Sequence, residues 1–153
     1  MTHTRGSIRG WGYEGKTLDD LLSEAERVQA NVVVDVRMTP ISRKKGFSKT
    51  RLRQALEAAG LKYVHMRELG NPKDNRAAFA TPGTDDAAHA YQRFTDEVLH
   101  TPEGTAAIHH IADLATDQTV LVLCCEHDHE QCHRRLVIDE VTAVLAEHQN
   151  SVG

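Results

Sequence analysis

The chain has 153 residues, of which 40% are hydrophobic and 26% charged, and its formal net charge is −4. This composition favours one globular domain over a disordered chain, and no apolar run approaches the ~18 residues that a membrane span requires. The first residues lack the apolar core of an export signal, and three cysteines within nine residues are a poor disulfide framework. We therefore expect a cytoplasmic protein without membrane contact.

Strand and helix signals alternate in the first half of the chain. Ser7–Trp11 is a predicted strand, and Thr17 is predicted to cap the next helix, with an acid at the third helical position as in a capping box. The β-branched run Val32–Val36 is typical of a strand buried in a parallel sheet. Ser48 and Gly60 are predicted to begin and end a second helix.

The same alternation continues to the end of the chain. The remaining predicted elements are a strand over Leu61–Met66, a loop over Glu68–Gly83, helices over 84–100 and 102–116, a strand over Gln118–Cys125 and a helix over Cys132–Glu147. Strands that alternate with helices predict a parallel sheet. We predict a single α/β domain over residues 1–153: a three-layer, mainly parallel, Rossmann-like sheet with helices on both faces.

A sheet of this kind binds ligands outside the carboxyl ends of its strands. The loops predicted at that edge are Gly12–Lys16, Arg37–Phe47, Arg67–Pro72 and Cys125–Cys132. They are also the richest in polar and unusual residues, so we predict the functional pocket there.

The first of these loops contains a phosphate-binding pattern. Gly10–Thr17, GWGYEGKT, matches G-x-x-x-x-G-K-T, and its glycines also match G-x-G-x-x-G. Asp35, near the end of the next predicted strand, fits either pattern as the partner acid. Two aromatic side chains in a loop that must wrap a phosphate argue against a P-loop. We interpret the match as accidental and keep a P-loop NTPase as a lesser alternative.

The segment after the last predicted strand is rich in metal-binding residue types. Zinc could be bound by side chains from Cys125, His127, His129, Cys132 and His133. Their spacing differs from that of a zinc knuckle or ribbon, and no second ligand pair occurs elsewhere. We rank zinc third among the hypotheses for this segment and predict no metal site.

The same segment supports two other hypotheses. Cys132, predicted at the start of the last helix beside His133 and Arg134, would have a lowered thiol pKa and could act as a nucleophile. Alternatively, the free N–H groups of that helix would bind an anion together with Arg134 and Arg135, whose charges oppose the helix dipole unless an anion compensates them. We rank anion binding first and thiol chemistry second, while simple packing of the cysteines is the structural alternative.

A basic segment follows the second predicted strand. Between Arg37 and Arg53 the chain carries seven basic and no acidic residues. Such a segment can attract nucleic acid even on an acidic protein, although a solvated surface is an equal alternative.

The order of several motifs resembles the domain-of-unknown-function 488 family of small bacterial and archaeal proteins. The matching stretches are 12–18 (GYEGKTL), 34–37 (VDVR), 40–48 (PISRKKGFS), 61–65 (LKYVH), 68–72 (ELGNP), 123–126 (LCCE) and 132–134 (CHR). The resemblance implies that the first motif begins at Gly12, which leaves Gly10 outside it. It also implies a C-x-E and C-H-R pattern on Cys124, Glu126 and 132–134, with His127 and His129 in a variable part.

The loops and motifs together predict one polar pocket. The candidate catalytic residues are Glu126, Cys132, His133 and Glu68, and the candidate ligand-binding residues are Tyr13, Glu14, Arg37, Arg43 and Arg134. We expect binding of a phosphate- or carboxylate-bearing ligand such as a nucleotide or a nucleic-acid end, and we leave open whether the ligand is turned over. Glu126 or Glu68 would act as acid or base, and His133 would be a second proton carrier. The anion would be held by Arg37, Arg43 and Arg134.

Two alternatives to this function remain. One is a rhodanese- or phosphatase-like thiol enzyme, although the loop from Cys125 to Arg134 is longer than such enzymes use. The other is a nucleic-acid-binding module without catalysis, based on the segment Arg37–Arg53. The sequence identifies no cofactor and no oligomeric state.

Overall fold

The computed structural model describes residues 6–40, 42, 46–126 and 128–152, without the side chains of 148–152. Within these ranges the strands and α-helices are β1 (Ser7–Gly12), α1 (Leu18–Val28), β2 (Val32–Asp35), α2 (Lys49–Ala58), β3 (Lys62–His65), α3 (Asp85–Phe94), α4 (Pro102–Asp117), β4 (Thr119–Cys124) and α5 (Arg134–Val152). A π-helical turn, Thr95–Leu99, continues α3, and short 3₁₀ turns occupy Arg67–Leu69, Lys73–Asn75, Ala77–Ala80 and His129–Gln131. None of the helices so described is long and apolar enough to cross a membrane.

The four described strands form one parallel sheet in the order β1-β4-β2-β3. Residues Val32–Asp35 are fully buried between β4 and β3, which explains why this strand consists of β-branched residues and one acid rather than an alternating pattern. The predicted strand–helix alternation and the parallel sheet are therefore confirmed.

Hydrophobic cores lie on both faces of the sheet. On one face Val33 and Leu121 pack with Leu21 of α1 and Leu52 of α2. On the other face the alternate strand residues pack with α3, α4 and α5; this core includes Val34, Val122, Phe94, Ile111 and Val137. Helices thus cover both faces, as the three-layer prediction requires. Since the chain leaves β1 and β2 toward one face and β4 toward the other, a crevice opens at the carboxyl ends of these strands.

The helix ends agree only in part with the predicted caps. Thr17 and Asp20 form the capping box, with Thr17 N donating to Asp20 Oδ2 at 2.8 Å and Asp20 N to Thr17 Oγ1 at 3.1 Å. Ser48 is the N-cap residue of α2, as predicted, but its hydroxyl exchanges hydrogen bonds with the backbone of Ser42 and makes no capping hydrogen bond. The last helix begins at Arg134, two residues later than predicted.

Candidate functional site

A polar cavity of about 230 Å³ lies at the carboxyl ends of the strands. The loops after all four strands contribute to its wall: Tyr13 after β1; Arg37, Met38 and Thr39 after β2; Asn71, Arg76 and Phe79 after β3; and Gln131 and His133, with Cys124, Cys125 and Glu126, at and after the end of β4. Four of the predicted site residues, Tyr13, Arg37, Glu126 and His133, therefore share one cavity.

Arg37 is held by a buried network at the end of β2. Its Nε and Nη2 donate to the two carboxylate oxygens of Asp35 at 2.9 and 2.7 Å, and its backbone N–H also donates to Oδ1 at 3.0 Å. The Tyr63 hydroxyl donates to Asp35 Oδ2 at 2.5 Å. Burial alone would lower the pKa of Arg37, but the hydrogen-bonded carboxylate outweighs it and raises that pKa. The guanidinium is therefore always charged and oriented by two points of contact.

The third nitrogen of this guanidinium is not used by the network. Arg37 Nη1 is buried and has no hydrogen-bond partner among the described residues. The guanidinium carbon lies 5.4 Å from the centre of the Tyr13 ring, which fixes its plane further. An unsatisfied buried donor is costly, and more so on a charged group. Nη1 is therefore the nitrogen of this guanidinium that the pairing with Asp35 leaves without a hydrogen-bond partner among the described residues.

Tyr13 is a buried part of the cavity wall. Its ring stacks on Phe47 with the ring centres 4.7 Å apart, and only 8% of the residue is exposed. Burial raises the pKa of the Tyr13 hydroxyl, and the Cys125 thiol raises it further, whereas Ser42 and Arg37 act in the opposite direction. The hydroxyl therefore stays protonated at neutral pH and can donate a hydrogen bond.

The loop after β3 supplies polar residues that the sequence analysis did not select. Asn75 is buried and donates to Asn71 Oδ1 at 3.1 Å and to the Ala90 carbonyl at 3.0 Å. The exposed Arg76 donates through Nε to the Asn71 carbonyl at 2.9 Å and lines the cavity. Asn71 lay within a recognised motif, but Arg76 sits in a loop without regular periodicity. Only the tertiary packing brings its charge to the cavity.

A cluster of sulfur and imidazole groups, Cys124, Cys132 and His133, closes the inner end of the cavity; we call it the Cys–His cluster. His133 Nδ1 lies 3.7 Å from Cys124 Sγ and 3.8 Å from Cys132 Sγ, and the three donor atoms are all within 4.8 Å of one another. His133 Nε2 lies 2.8 Å from the Val36 carbonyl and therefore carries the proton. Within the described part of the chain this is the set of side chains best placed to hold a metal ion.

The environment of Cys132 differs from the predicted one. The residue is 1% exposed, and it lies in extended conformation before α5 rather than in the first helical turn. Burial, followed by the contact with Cys124, raises the pKa of the Cys132 thiol above its usual range. Desolvation also raises the pKa of the half-buried Cys125. Burial outweighs the helix dipole here because the thiolate would lose its water without gaining a fixed cation.

Arg134 does not line the cavity. It is 2% exposed, and its Nη1 donates a hydrogen bond to the carbonyl of Glu126. Arg134 therefore stabilises the loop after β4. Arg135 is paired with Glu130 and Asp139 at 3.4 and 3.5 Å. Carboxylates and a carbonyl thus compensate the cations in the first turn of α5, where the sequence analysis inferred a bound anion.

The P-loop pattern has a different structural explanation. Gly10–Gly12 belong to β1 and pair with Val122–Cys124 of β4, so they form no phosphate-binding loop. A Cβ atom on Gly12 would lie 1.8 Å from the Glu126 carbonyl, and Gly15 adopts φ +74° in the turn where Lys16 N–H donates to the Tyr13 carbonyl. Close packing and turn geometry account for these glycines.

Three other predicted residues lie away from the cavity or outside the described ranges. Glu68 is exposed and lines a separate depression beside α4 with His65 and His110. Glu14 is exposed at the turn after β1, where its N–H donates to the Cys125 carbonyl at 2.8 Å. Arg43 lies outside the described residues. The prediction that Glu68 lies at the pocket is therefore wrong. Glu68 lies exposed on a 3₁₀ turn, and the chain reaches the cavity only after Gly70.

A family model described as "Domain of unknown function DUF488" matches residues 17–141, which is most of the chain. The chain belongs to the DUF488 family. The resemblance drawn from the sequence motifs is thereby confirmed. No curated protein and no solved structure matches this DUF488 protein significantly.

Proposed function

We propose that this DUF488 protein binds a small phosphate- or carboxylate-bearing ligand in the cavity at the carboxyl ends of its strands. The observation that carries the proposal is the buried Nη1 of Arg37, which lacks a hydrogen-bond partner among the described residues although the rest of the guanidinium is fixed. Guanidinium N–H groups bind carboxylate and phosphate oxygens with short, charge-assisted hydrogen bonds.

The charge of the cavity wall supports an anionic ligand. Arg37 and Arg76 both line it, and Glu126 is the one carboxylate in the wall as far as the chain is described. The Tyr13 hydroxyl and the Asn71 amide add uncharged hydrogen-bonding groups. A ligand with one or two acidic oxygens near the arginines would find donors on several sides.

The cavity size limits the ligand. A volume of about 230 Å³ is below the ~300–1,000 Å³ that encloses a drug-sized molecule. We therefore propose that a free small anion, or the phosphate-bearing end of a nucleotide or nucleic acid, enters it while any larger part of the ligand stays outside.

If the ligand is turned over, Glu126 is the residue placed to move a proton, because it is half-buried on the cavity wall. His133 is less suited to proton transfer with the ligand, since Nε2 donates to Val36 and Nδ1 faces the two thiols. The raised pKa of Cys132 and its burial give little support to the alternative thiol enzyme.

The proposal is tested by thermal unfolding and calorimetric titration with inorganic phosphate, against chloride at equal ionic strength and with a metal chelator present. We expect phosphate to raise Tm by direct binding and Arg76→Gln to remove most of that shift. Arg93→Gln is the matched control, because Arg93 is paired with Asp74 and Glu97 away from the cavity and should leave the shift unchanged. Equal responses to phosphate and chloride, or a shift that survives Arg76→Gln, would refute the proposed site.

A further inference from the structure

We propose that the Cys–His cluster is a binding site for a zinc-like divalent transition-metal ion, bound by Cys124, Cys132 and His133 with its fourth position toward the cavity. This inference rests on the cluster's own geometry and does not depend on the proposed anion binding. It differs from the zinc hypothesis drawn from sequence, which relied on Cys125, His127 and His129.

The spacing of the donor atoms fits a tetrahedral ion. Zinc–sulfur bonds of ~2.3 Å and zinc–nitrogen bonds of ~2.0–2.1 Å at a tetrahedral angle place sulfur and nitrogen about 3.6 Å apart. The observed separations from His133 Nδ1 are 3.7 Å to Cys124 Sγ and 3.8 Å to Cys132 Sγ. The two sulfurs lie within 4.8 Å of each other, against about 3.8 Å for two ligands of a tetrahedral ion, so binding would require at most a limited approach of the two thiols.

The orientation of His133 is an independent argument. Its Nε2 donates to the Val36 carbonyl at 2.8 Å, which leaves the Nδ1 lone pair directed at the two sulfurs. Its ring also packs edge-on against Phe94, with the ring centres 5.4 Å apart. Histidines that bind metals usually donate their other N–H to a carbonyl or carboxylate in this way, which fixes the tautomer and the ring plane.

The cluster is closed on one side and open on the other. Cys132 is enclosed, whereas Cys124 and His133 also line the cavity. Glu126 Oε2 lies 3.5 Å from Cys124 Sγ on the cavity side. The fourth ligand would thus come from the cavity, as a water molecule beside the Glu126 carboxylate. Three protein ligands and one open position are typical of catalytic rather than structural zinc.

A bound metal ion would also balance the negative charge of the two buried thiolates. Without a cation, a thiolate in this buried environment would carry an uncompensated charge. Binding forms two metal–sulfur bonds and breaks two S–H bonds, and the two protons leave to solvent. The two thiolate charges then balance the charge of the ion, and affinity falls as the pH is lowered.

The test uses the full chain, freed of metal by a chelator, kept reduced, and titrated with Co²⁺ as a spectroscopic substitute for zinc. We expect one Co²⁺ per chain, thiolate-to-metal charge-transfer absorption, visible bands of a tetrahedral ion, and displacement of these bands by Zn²⁺. Release of two protons per ion would be measured in weakly buffered solution.

Variants assign the ligands. Cys132→Ser should weaken Co²⁺ binding at least tenfold and reduce the charge-transfer absorption, and Cys124→Ser should do the same if the first variant fails to fold. Cys125→Ser is the matched control: its side chain neighbours the cluster in sequence but points to Tyr13, so binding should be unchanged. Absence of thiolate–Co²⁺ absorption in the reduced wild type, or its loss in Cys125→Ser alone, would overturn the proposal. Anion binding can fail while this site is confirmed, since the phosphate experiment is done in chelator.

Discussion

Arg37 and Asp35 form a two-point ion pair at the end of the second strand, and both side chains are buried, with 7% and 0% of their surfaces exposed. Their spacing of two residues places them on the same face of the strand, so the pair is local in sequence, yet its burial comes from the neighbouring strands and loops. The pair orients the guanidinium at the cavity and leaves Nη1 without a hydrogen-bond partner among the described residues.

Breaking this pair should be costly. Asp35→Asn leaves the Arg37 charge buried without a counter-ion, and we expect the free energy of unfolding to fall by about 3–5 kcal/mol in urea titrations. The control is Asp74→Asn, which breaks an exposed pair with Arg93 and should change stability only slightly. If the two substitutions lowered the free energy of unfolding by similar amounts, the Asp35 carboxylate would not be the group that stabilises the buried charge of Arg37.

The Tyr63 hydroxyl should also contribute measurably. Tyr63→Phe removes its hydrogen bond to the Asp35 carboxylate, and bonds to charged groups contribute about 1.5–3 kcal/mol. Tyr91 provides the comparison, because its buried hydroxyl has no hydrogen-bond partner among the described residues. Tyr91→Phe should be neutral or stabilising by the same urea assay. A destabilised Tyr91→Phe protein would contradict this assignment.

Stability should decline in mildly alkaline solution. Burial raises the pKa of Cys132 in the folded state, so this residue stabilises the fold below the unfolded-state pKa of ~8.5 and loses that contribution as pH rises. For the metal-free protein we expect the free energy of unfolding to fall by up to about 1.4 kcal/mol per pH unit between about pH 8.5 and 10. Cys132→Ala should reduce the slope. A flat profile in this window would mean that the Cys132 thiol titrates normally.

Lys16 should not bind nucleotide phosphates. Because Gly10–Gly12 lie in β1, no loop surrounds a phosphate at this position, and Lys16→Ala should leave any stabilisation by ATP and Mg²⁺ unchanged in thermal unfolding. Stabilisation that requires both Mg²⁺ and Lys16 would instead identify a P-loop enzyme.

The basic segment is tested through its described, exposed residues on α2, Lys49, Arg51 and Arg53. If the segment contacts nucleic acid, binding of a short single-stranded DNA should weaken steeply with salt, and replacing the three residues by Gln should flatten that dependence. Lys62→Gln is the control, because Lys62 is exposed at the amino end of β3, away from the cavity. Binding that does not respond to the triple substitution, or its absence at low salt, would leave the segment as solvated surface.

The sequence by itself determined the elements and the edge of the sheet that carries the cavity. The β-branched run Val32–Asp35 and the capping box of Thr17 are local signals, since burial on both faces and satisfaction of helix N–H groups demand particular residue types at fixed spacing. The carboxyl ends of parallel strands must then meet at one edge, which is why Tyr13, Arg37 and Glu126 could be assigned to one site.

Only the tertiary structure decided how each of these side chains is used. The burial and the contacts of a side chain depend on segments that are far apart in the chain. The Val36 carbonyl orients His133, which lies 97 residues later, and the Glu126 carbonyl accepts a hydrogen bond from Arg134. The same packing buries Cys132, leaves Glu68 exposed and places Arg76 in the cavity wall. A thiol's pKa and a guanidinium's spare donor follow from desolvation and three-dimensional contacts, which residue type and spacing do not specify.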